Sequence, residues 1–333
     1  MAPLTNILHP DLLITRENTG ENNNALTDFK FYRYNPSLAG AIIFALLFLT
    51  TTALHTHQLF RTRTWYMLPF LVGGFFELIG YIARAISSSQ KRDECTLGPY
   101  IVQSTLILVA PALLAASVYM HLGRVVRMVR PKNGGDDAAE GKLEGGQGEN
   151  GKLEGGQGED EKLLFGMMKT TWLTKVFVAG DVLSFLMQAS GGGLMASGSA
   201  DTGETIVLGG LGVQVVFFGL FVFTGVSWNV KMRSRGSASR RTSLKGLPWQ
   251  KHMISLYIVS ILIFVRSIVR MVEYAQGYTG YIISREWYLF VFDALLMWLA
   301  MVTMNIVHPS EVAAQIRGTG KMVTHVIKTK DVQ

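Results

Sequence analysis

One cysteine in 333 residues, Cys95, leaves no internal disulfide and no cysteine-based metal cage. Charge is scarce too. Asp, Glu, Lys and Arg make up 17% of the chain, against about 25% in soluble domains. A water-soluble globular protein of this length needs more polar surface than that. The first 36 residues are mostly polar, with no short apolar core and no small-residue cleavage site, so no cleaved leader is expected. No stretch shows the even apolar/polar alternation of a membrane barrel strand. The histidines, at 9, 55, 57, 121, 252, 308 and 325, form no HxxxH or HExxH pair on a helix. No Ser-His-Asp arrangement is legible from spacing, and no ATP-binding motif is present. The chain is therefore expected to hold neither metal nor cofactor and to be no enzyme.

What is there is hydrocarbon. Hydrophobic residues make up 49% of the chain and its mean hydropathy is +0.27. A membrane core of about 30 Å takes about 20 mainly apolar residues as helix. Seven stretches qualify, near 37–56, 66–86, 99–121, 172–196, 205–227, 252–274 and 287–307. The expected fold is an all-α integral membrane protein of seven transmembrane helices. Lys and Arg crowd the loops after spans 1, 3 and 5 and the C-terminal tail, which puts the N-terminus outside and the C-terminus in the cytoplasm. The loop 228–251 weighs most, with Lys231, Arg233, Arg235, Arg240, Arg241, Lys245 and Lys251 and no acid. It reads as a topology determinant, with contact to anionic headgroups as a second use. The net charge of +7 then records basic loops, and no nucleic-acid partner is expected.

This reading divides the chain into an extracellular tail (1–36), a membrane domain (37–309) and a cytoplasmic tail (310–333). Within the membrane domain, 130–165 is an insertion holding "GKLEGGQGE" at 141–149 and again at 151–159. Its composition buries too little apolar surface to offset ordering entropy, so a disordered cytoplasmic linker is expected. Cys95, on the outer side, leaves a covalent homodimer open; a free or core-packed thiol is the plainer reading.

Ionisable side chains at bilayer depth cost a few kcal/mol and are kept where they face protein or a wet cavity. Glu77, Asp181, Glu273 and Asp293 qualify, with Arg84, Arg266 and Arg270; Lys175 is close enough to an end to snorkel. Glu77, Tyr81 and Arg84 share one helix face, as do Arg266, Arg270 and Glu273 at i, i+4 and i+7. Asp293 lies at a similar depth and is expected to neutralise Arg266 or Arg270. Fixed salt bridges that set helix register are the plain reading of any one pair; the whole set points to a polar cavity. Gln103, Gln188 and Gln214 extend the pattern. Pro111 frees a backbone carbonyl in mid-membrane, and the glycines 191–193 permit close helix approach or a local unwinding. Ser184 reads as an intrahelical hydrogen-bonding serine.

The strings "ELIGYIAR" (77–84), "QSTLILVAPALLAASVYMHLGR" (103–124), "GDVLSFLMQASGGG" (180–193), "RSIVRMVEYAQGYTGYIISREWYLFVFDALLM" (266–297) and "HP" (308–309) resemble the fungal RTA-like family, also called the lipid-translocating exporters. The likeness runs from about residue 32 to 309 and leaves the Gly/Glu repeat outside. It implies a seven-helix fungal plasma-membrane protein with an external N-terminus. Members are associated with resistance to aminocholesterol and other toxic lipophiles, with translocation of sphingoid long-chain bases and with porphyrin uptake. The motif positions are Glu77, Gly80, Tyr81, Arg84, Gln103, Pro111, Tyr119, Asp181, Gln188, Gln214, Arg266, Arg270, Glu273, Glu286, Asp293 and His308.

The reading that follows is a translocase for an amphipathic lipid. Glu77 and Asp181 would take a cationic headgroup, and Phe75, Phe76 and Phe185 the chain. Substrate contacts are expected at Glu77, Tyr81, Arg84, Gln103, Tyr119, Asp181, Gln188, Gln214, Arg266, Arg270, Glu273 and Asp293. A seven-helix receptor for lipophilic ligands is the alternative, although no DRY-like switch is present. A membrane hydrolase acting on lipid amides is a third reading and needs a metal.

Overall fold

The computed structural model describes residues 36–90, 97–129, 170–196, 199–234, 248–277, 280–325 and 328–332. Cys95, the N-terminal tail 1–35 and the repeat at 141–159 lie outside the described residues.

Ser37 opens the first helix by accepting the Gly40 N–H on its hydroxyl, at 3.2 Å, which satisfies one of the end's orphan donors. That helix, α1 (Leu38–Thr62), ends at Arg63, whose left-handed backbone (φ 51°) stops the spiral. A single 3-10 turn, Trp65–Met67, feeds α2 (Leu68–Ser89), which carries Pro69 in its first turn, where a missing N–H costs nothing. Then come α3 (Leu97–Met128), α4 (Thr170–Ala196), α5 (Ala200–Ser234) and α6 (Trp249–Ala275). The last long helix, α7, runs in three stretches: Glu286–Leu289, a π-helical segment Phe290–Leu295, and Leu296–Ile306. A short helix, α8 (Ser310–Arg317), ends on Gly318 at φ 73°. An antiparallel hairpin, β1 (Gly320–His325) with β2 (Lys328–Val332), follows it. Sequence patterning placed only a tail there.

Six of these helices are long and apolar enough to cross a membrane. The exception is α4, where Lys175, Asp181, Gln188 and Gly191–Gly193 dilute 27 residues of otherwise apolar helix. The chain is an all-α membrane protein in the sense that every long element is helix. Its side chains are sorted the reverse way from a soluble domain. Ile42, Ile43, Leu46 and Leu49 of α1, Val182, Leu183 and Leu186 of α4, and Val216 and Phe223 of α5 lie exposed on the outside. Glu77, Arg84, His121, His252 and Arg266 are buried inside. Hydrocarbon solvates the former at no cost, whereas the latter need protein partners.

Helix α2 packs along α1 and α3, α4 along α5, and α6 against α3, α5 and α7, while α7 returns to α1 and closes the ring. Both ends of the bundle can be named from contacts. At one, the Ser37 end, the N-termini of α1 and α7 meet. At the other, the Arg63 end, the Arg63 carbonyl accepts from Arg317 at 3.3 Å.

Candidate functional site: a buried ionic cluster

On α2, Glu77, Tyr81 and Arg84 fall on the one face that turns inward, as their spacing of four and three residues requires. Arg84 does not meet Glu77. It donates to Glu286, at 2.6 Å, at the start of α7, and its guanidinium lies 5.4 Å from the Phe290 ring. Glu286 also accepts the Ser37 N–H, at 2.9 and 2.8 Å on its two oxygens, so one carboxylate ties α1, α2 and α7 together.

One or two turns deeper lies the centre. Asp293 sits in the π-helical segment of α7, and each of its oxygens is taken by an arginine of α6. Arg266 Nε donates to one oxygen, and Arg270 donates to the other at 2.7 Å. Arg270 bonds Glu273 as well, at 3.1 Å. Arg266 has a second anchor. Its far nitrogen donates to the Ile107 carbonyl, at 2.9 Å. Ile107 precedes Pro111 by one helical turn, and it is this carbonyl that a proline deprives of its helical N–H. The arginine replaces the missing donor and fastens α3 to α6 and α7.

Glu77 stands apart. It is fully buried, within electrostatic reach of Asp293, Arg266 and Arg270, and neither of its oxygens has a hydrogen-bond partner among the described residues. The Tyr81 hydroxyl is likewise unpartnered there, its ring stacked on Phe48 at 5.3 Å. Three arginines, Arg84, Arg266 and Arg270, thus face four carboxylates, Glu77, Glu273, Glu286 and Asp293. The carboxylate left over is Glu77.

The remaining candidates form a second group, joined to the first by no hydrogen bond or ion pair among the described residues. Tyr119 of α3 donates to Asp181 of α4 at 2.9 Å, within a shell of Phe177, Phe218 and Phe221. Gln188 donates to Gln214 of α5 at 3.2 Å and to Ser184 at 2.7 Å. Ser184 in turn donates across to the Gly210 carbonyl at 2.7 Å. That bond is interhelical, made possible because Gly210 has no side chain and lets the two helices touch, while the bond Ser184 accepts from Gln188 is the intrahelical one the sequence suggests. Gln103 is buried on α3, one turn before Ile107, on the side of the first group.

No hydrogen bond or ion pair among the described residues joins Asp181 to Glu77. Phe75 is 41% exposed on the outer face of α2 and lines no interior site. Of the three adjacent glycines only Gly191 packs closely, against Gly203; nothing lies within 4 Å of the Cβ positions of Gly192 and Gly193. Glu286 lies outside the expected contact set, yet it bonds Arg84 and the Ser37 N–H. Its motif position was the available signal. Among the described residues no three His, Cys, Asp or Glu are arranged to hold a metal ion.

A family model described as RTA1 like protein matches residues 70–133 and 163–316, well over half of the chain. The chain belongs to the RTA1-like family. The match breaks across the segment that holds the Gly/Glu repeat. The chain is 34% identical over 314 residues to protoporphyrin uptake protein 1 of Saccharomyces cerevisiae, covering 84% of this chain and 91% of that one. It is 26% identical to the probable lipid transporter atnI of Emericella nidulans, over 84% of this chain and 68% of the relative. With the sphingoid long-chain base transporter RSB1 of Saccharomyces cerevisiae it shares 24% over 82% and 72%. No solved structure matches. RTA1-like relatives thus carry the names of membrane transporters, two of them for lipids, and this chain is a multi-pass membrane protein of the same family.

Proposed function

We propose that this chain translocates an amphipathic lipid with a cationic headgroup, of the sphingoid-base kind, across the plasma membrane. The observation that carries the proposal is the surplus carboxylate. Asp293, Glu273 and Glu286 are each matched to an arginine, whereas Glu77 is buried beside them without a hydrogen-bond partner among the described residues. A buried ion without a counter-ion is costly, and a ligand ammonium or a proton restores the balance. Glu77 is therefore the headgroup acceptor, Tyr81 its neighbouring hydroxyl, and the arginine–Asp293 centre a rigid wall that keeps a cation from settling deeper. Asp181 and Tyr119 form a separate polar point between α3 and α4. Because the chain carries no nucleotide-binding motif, movement draws on a gradient or runs downhill.

The proposal includes α4 as the seventh span, with the N-terminus outside and the 228–251 loop in the cytoplasm. The packing of α4 along α5 and against α3 supports α4 as a span, and the basic residues of the 228–251 loop support the orientation. An epitope ahead of Pro36 is expected to stain on intact cells and one after Gln333 only after permeabilisation; the reverse pattern refutes the orientation.

Flux into liposomes that contain only the purified chain tests the function, with a fluorescent sphingoid base and a fluorescent glycerophospholipid side by side. The base is expected to cross, and Glu77→Gln to abolish its crossing while keeping wild-type expression and monodispersity. Base flux unchanged in that variant removes Glu77 from the path. Saturable binding without any flux replaces the translocase with a receptor that uses the same cluster as its pocket.

A further inference from the structure

The Arg63 end holds a second population of buried titratable groups that the ionic cluster does not use. Four histidines converge there from four parts of the chain: His55 of α1, His121 of α3, His252 of α6 and His308 between α7 and α8, all buried. The rings of His121 and His252 meet edge to face with centroids 5.4 Å apart, and those of His55 and His308 lie 6.5 Å apart. Spacing along any single helix gives no hint of this, because no two of the four share an element.

Their hydrogen bonds define the seated arrangement. His308 Nδ1 accepts the Ser310 N–H, at 3.2 Å, at the first residue of α8. That bond requires Nδ1 to be bare; a proton there would set donor against donor. His252 Nε2 lies 3.1 Å from Glu311 of α8, which also pairs with Lys251. His55 Nε2 faces the Met301 carbonyl at 3.0 Å and so donates to it. Neither nitrogen of His121 has a partner among the described residues.

The surroundings are cationic. Facing the rings are Arg124 of α3, whose guanidinium lies 3.9 Å from the Tyr66 ring centroid, and Tyr66 itself, with its ring 6.4 Å from that of His121. Lys251 of α6 is half exposed and shares Glu311 with His252, and Arg317 at the end of α8 lies outside, on the Arg63 carbonyl. Among the described residues the only carboxylate bonded to any of the four rings is Glu311. Each proton added to His55, His121 or His308 thus places a like charge among cations at low dielectric, whereas one on His252 meets Glu311.

The same contacts seat α8. Tyr66 donates its hydroxyl to the Pro309 carbonyl at 2.9 Å, and Ser310 Oγ accepts the Val323 N–H of β1 at 3.0 Å, which ties the hairpin to the helix. We propose that α8 and the β1–β2 hairpin form a cap over the Arg63 end, seated while His55, His121 and His308 are neutral and released when that face acidifies. Histidine is the side chain whose ordinary titration falls in the range cells cross. The inference does not depend on what the bundle carries.

Hydrogen–deuterium exchange on the purified full chain tests it, read on peptides spanning 308–325 at pH 7.5 and 5.5 after correction for intrinsic exchange. Loss of protection by roughly tenfold or more is expected at pH 5.5, with peptides of α1 and α2 unchanged. In His121→Phe/His308→Asn the protection is expected to survive pH 5.5, because Asn supplies an acceptor for the Ser310 N–H and does not titrate. His121→Phe alone, which fills the same buried space without a titratable group, is expected to reduce the loss and serves should the double variant fail to fold. Equal protection of the wild type at both pH values overturns the proposal. So does a loss spread over the whole bundle, or one undiminished in a folded variant.

Discussion

Asp293 is the residue on which most of the buried charge turns, because both of its oxygens carry arginines from α6. Removing one partner of a buried pair leaves an uncompensated charge, at a cost of about 3–5 kcal/mol. Asp293→Asn is therefore expected to lower the melting point of the purified protein sharply, whereas Glu77→Gln, which removes an unpartnered charge, is not. Thermal unfolding followed by size-exclusion chromatography separates the two. Wild-type stability in Asp293→Asn would show that the arginines find other partners. The pairing was legible in the sequence because Arg266, Arg270 and Glu273 form one helical stripe and Asp293 matches their depth. The role of Ile107 was not. Pro111 announces that a carbonyl has been freed, but the side chain that claims it is fixed only by tertiary packing. The histidine cluster was hidden for the same reason, since it has one member per element.

At the scale of helices, the tightest joint is the α4–α5 pair. A Cβ at Gly210 would sit 2.8 Å from the Ser184 carbonyl oxygen, and one at Gly191 would sit 2.6 Å from the Gly203 carbonyl. Backbone atoms cannot rotate away as side chains do, so a bulky residue must push the helices apart and break the Ser184–Gly210 bond. Gly210→Leu is expected to abolish the monodisperse peak in detergent, while Gly212→Ala, with nothing within 4 Å of its Cβ, leaves it unchanged. Equal profiles for the two would refute close packing as the use of Gly210. Apolar run length was enough to locate every long helix. It carried no information about the hairpin after α8, whose short strands lack a distinctive pattern, nor about the π-helical segment, whose residues read as ordinary helix.

For the molecule as a whole, the ring is closed by Glu286, which joins the N-terminus of α1 to α2 and α7. The family match breaks at 134–162, so the repeat lies outside the segments the family shares. Deleting 141–159 is expected to leave sphingoid-base flux and thermal stability at wild-type levels. A substantial fall in either would give the repeat a function that composition does not suggest.

The π-helical segment of α7 has a consequence best put as phase. A π turn accommodates one more residue than the α-helix on either side of it needs. Each residue of an α-helix advances the face by about 100°. Glu286 and Asp293 therefore point where they do because α7 carries a supernumerary residue between its first turn and its last three. If the helix closed into a uniform α spiral, everything on the Ser37 side of the segment would rotate by roughly a quarter-turn or more, and Glu286 would swing off Arg84 and the Ser37 amide while Leu296–Ile306 stayed in place. The clasp that shuts the ring is thus set by counting as much as by chemistry.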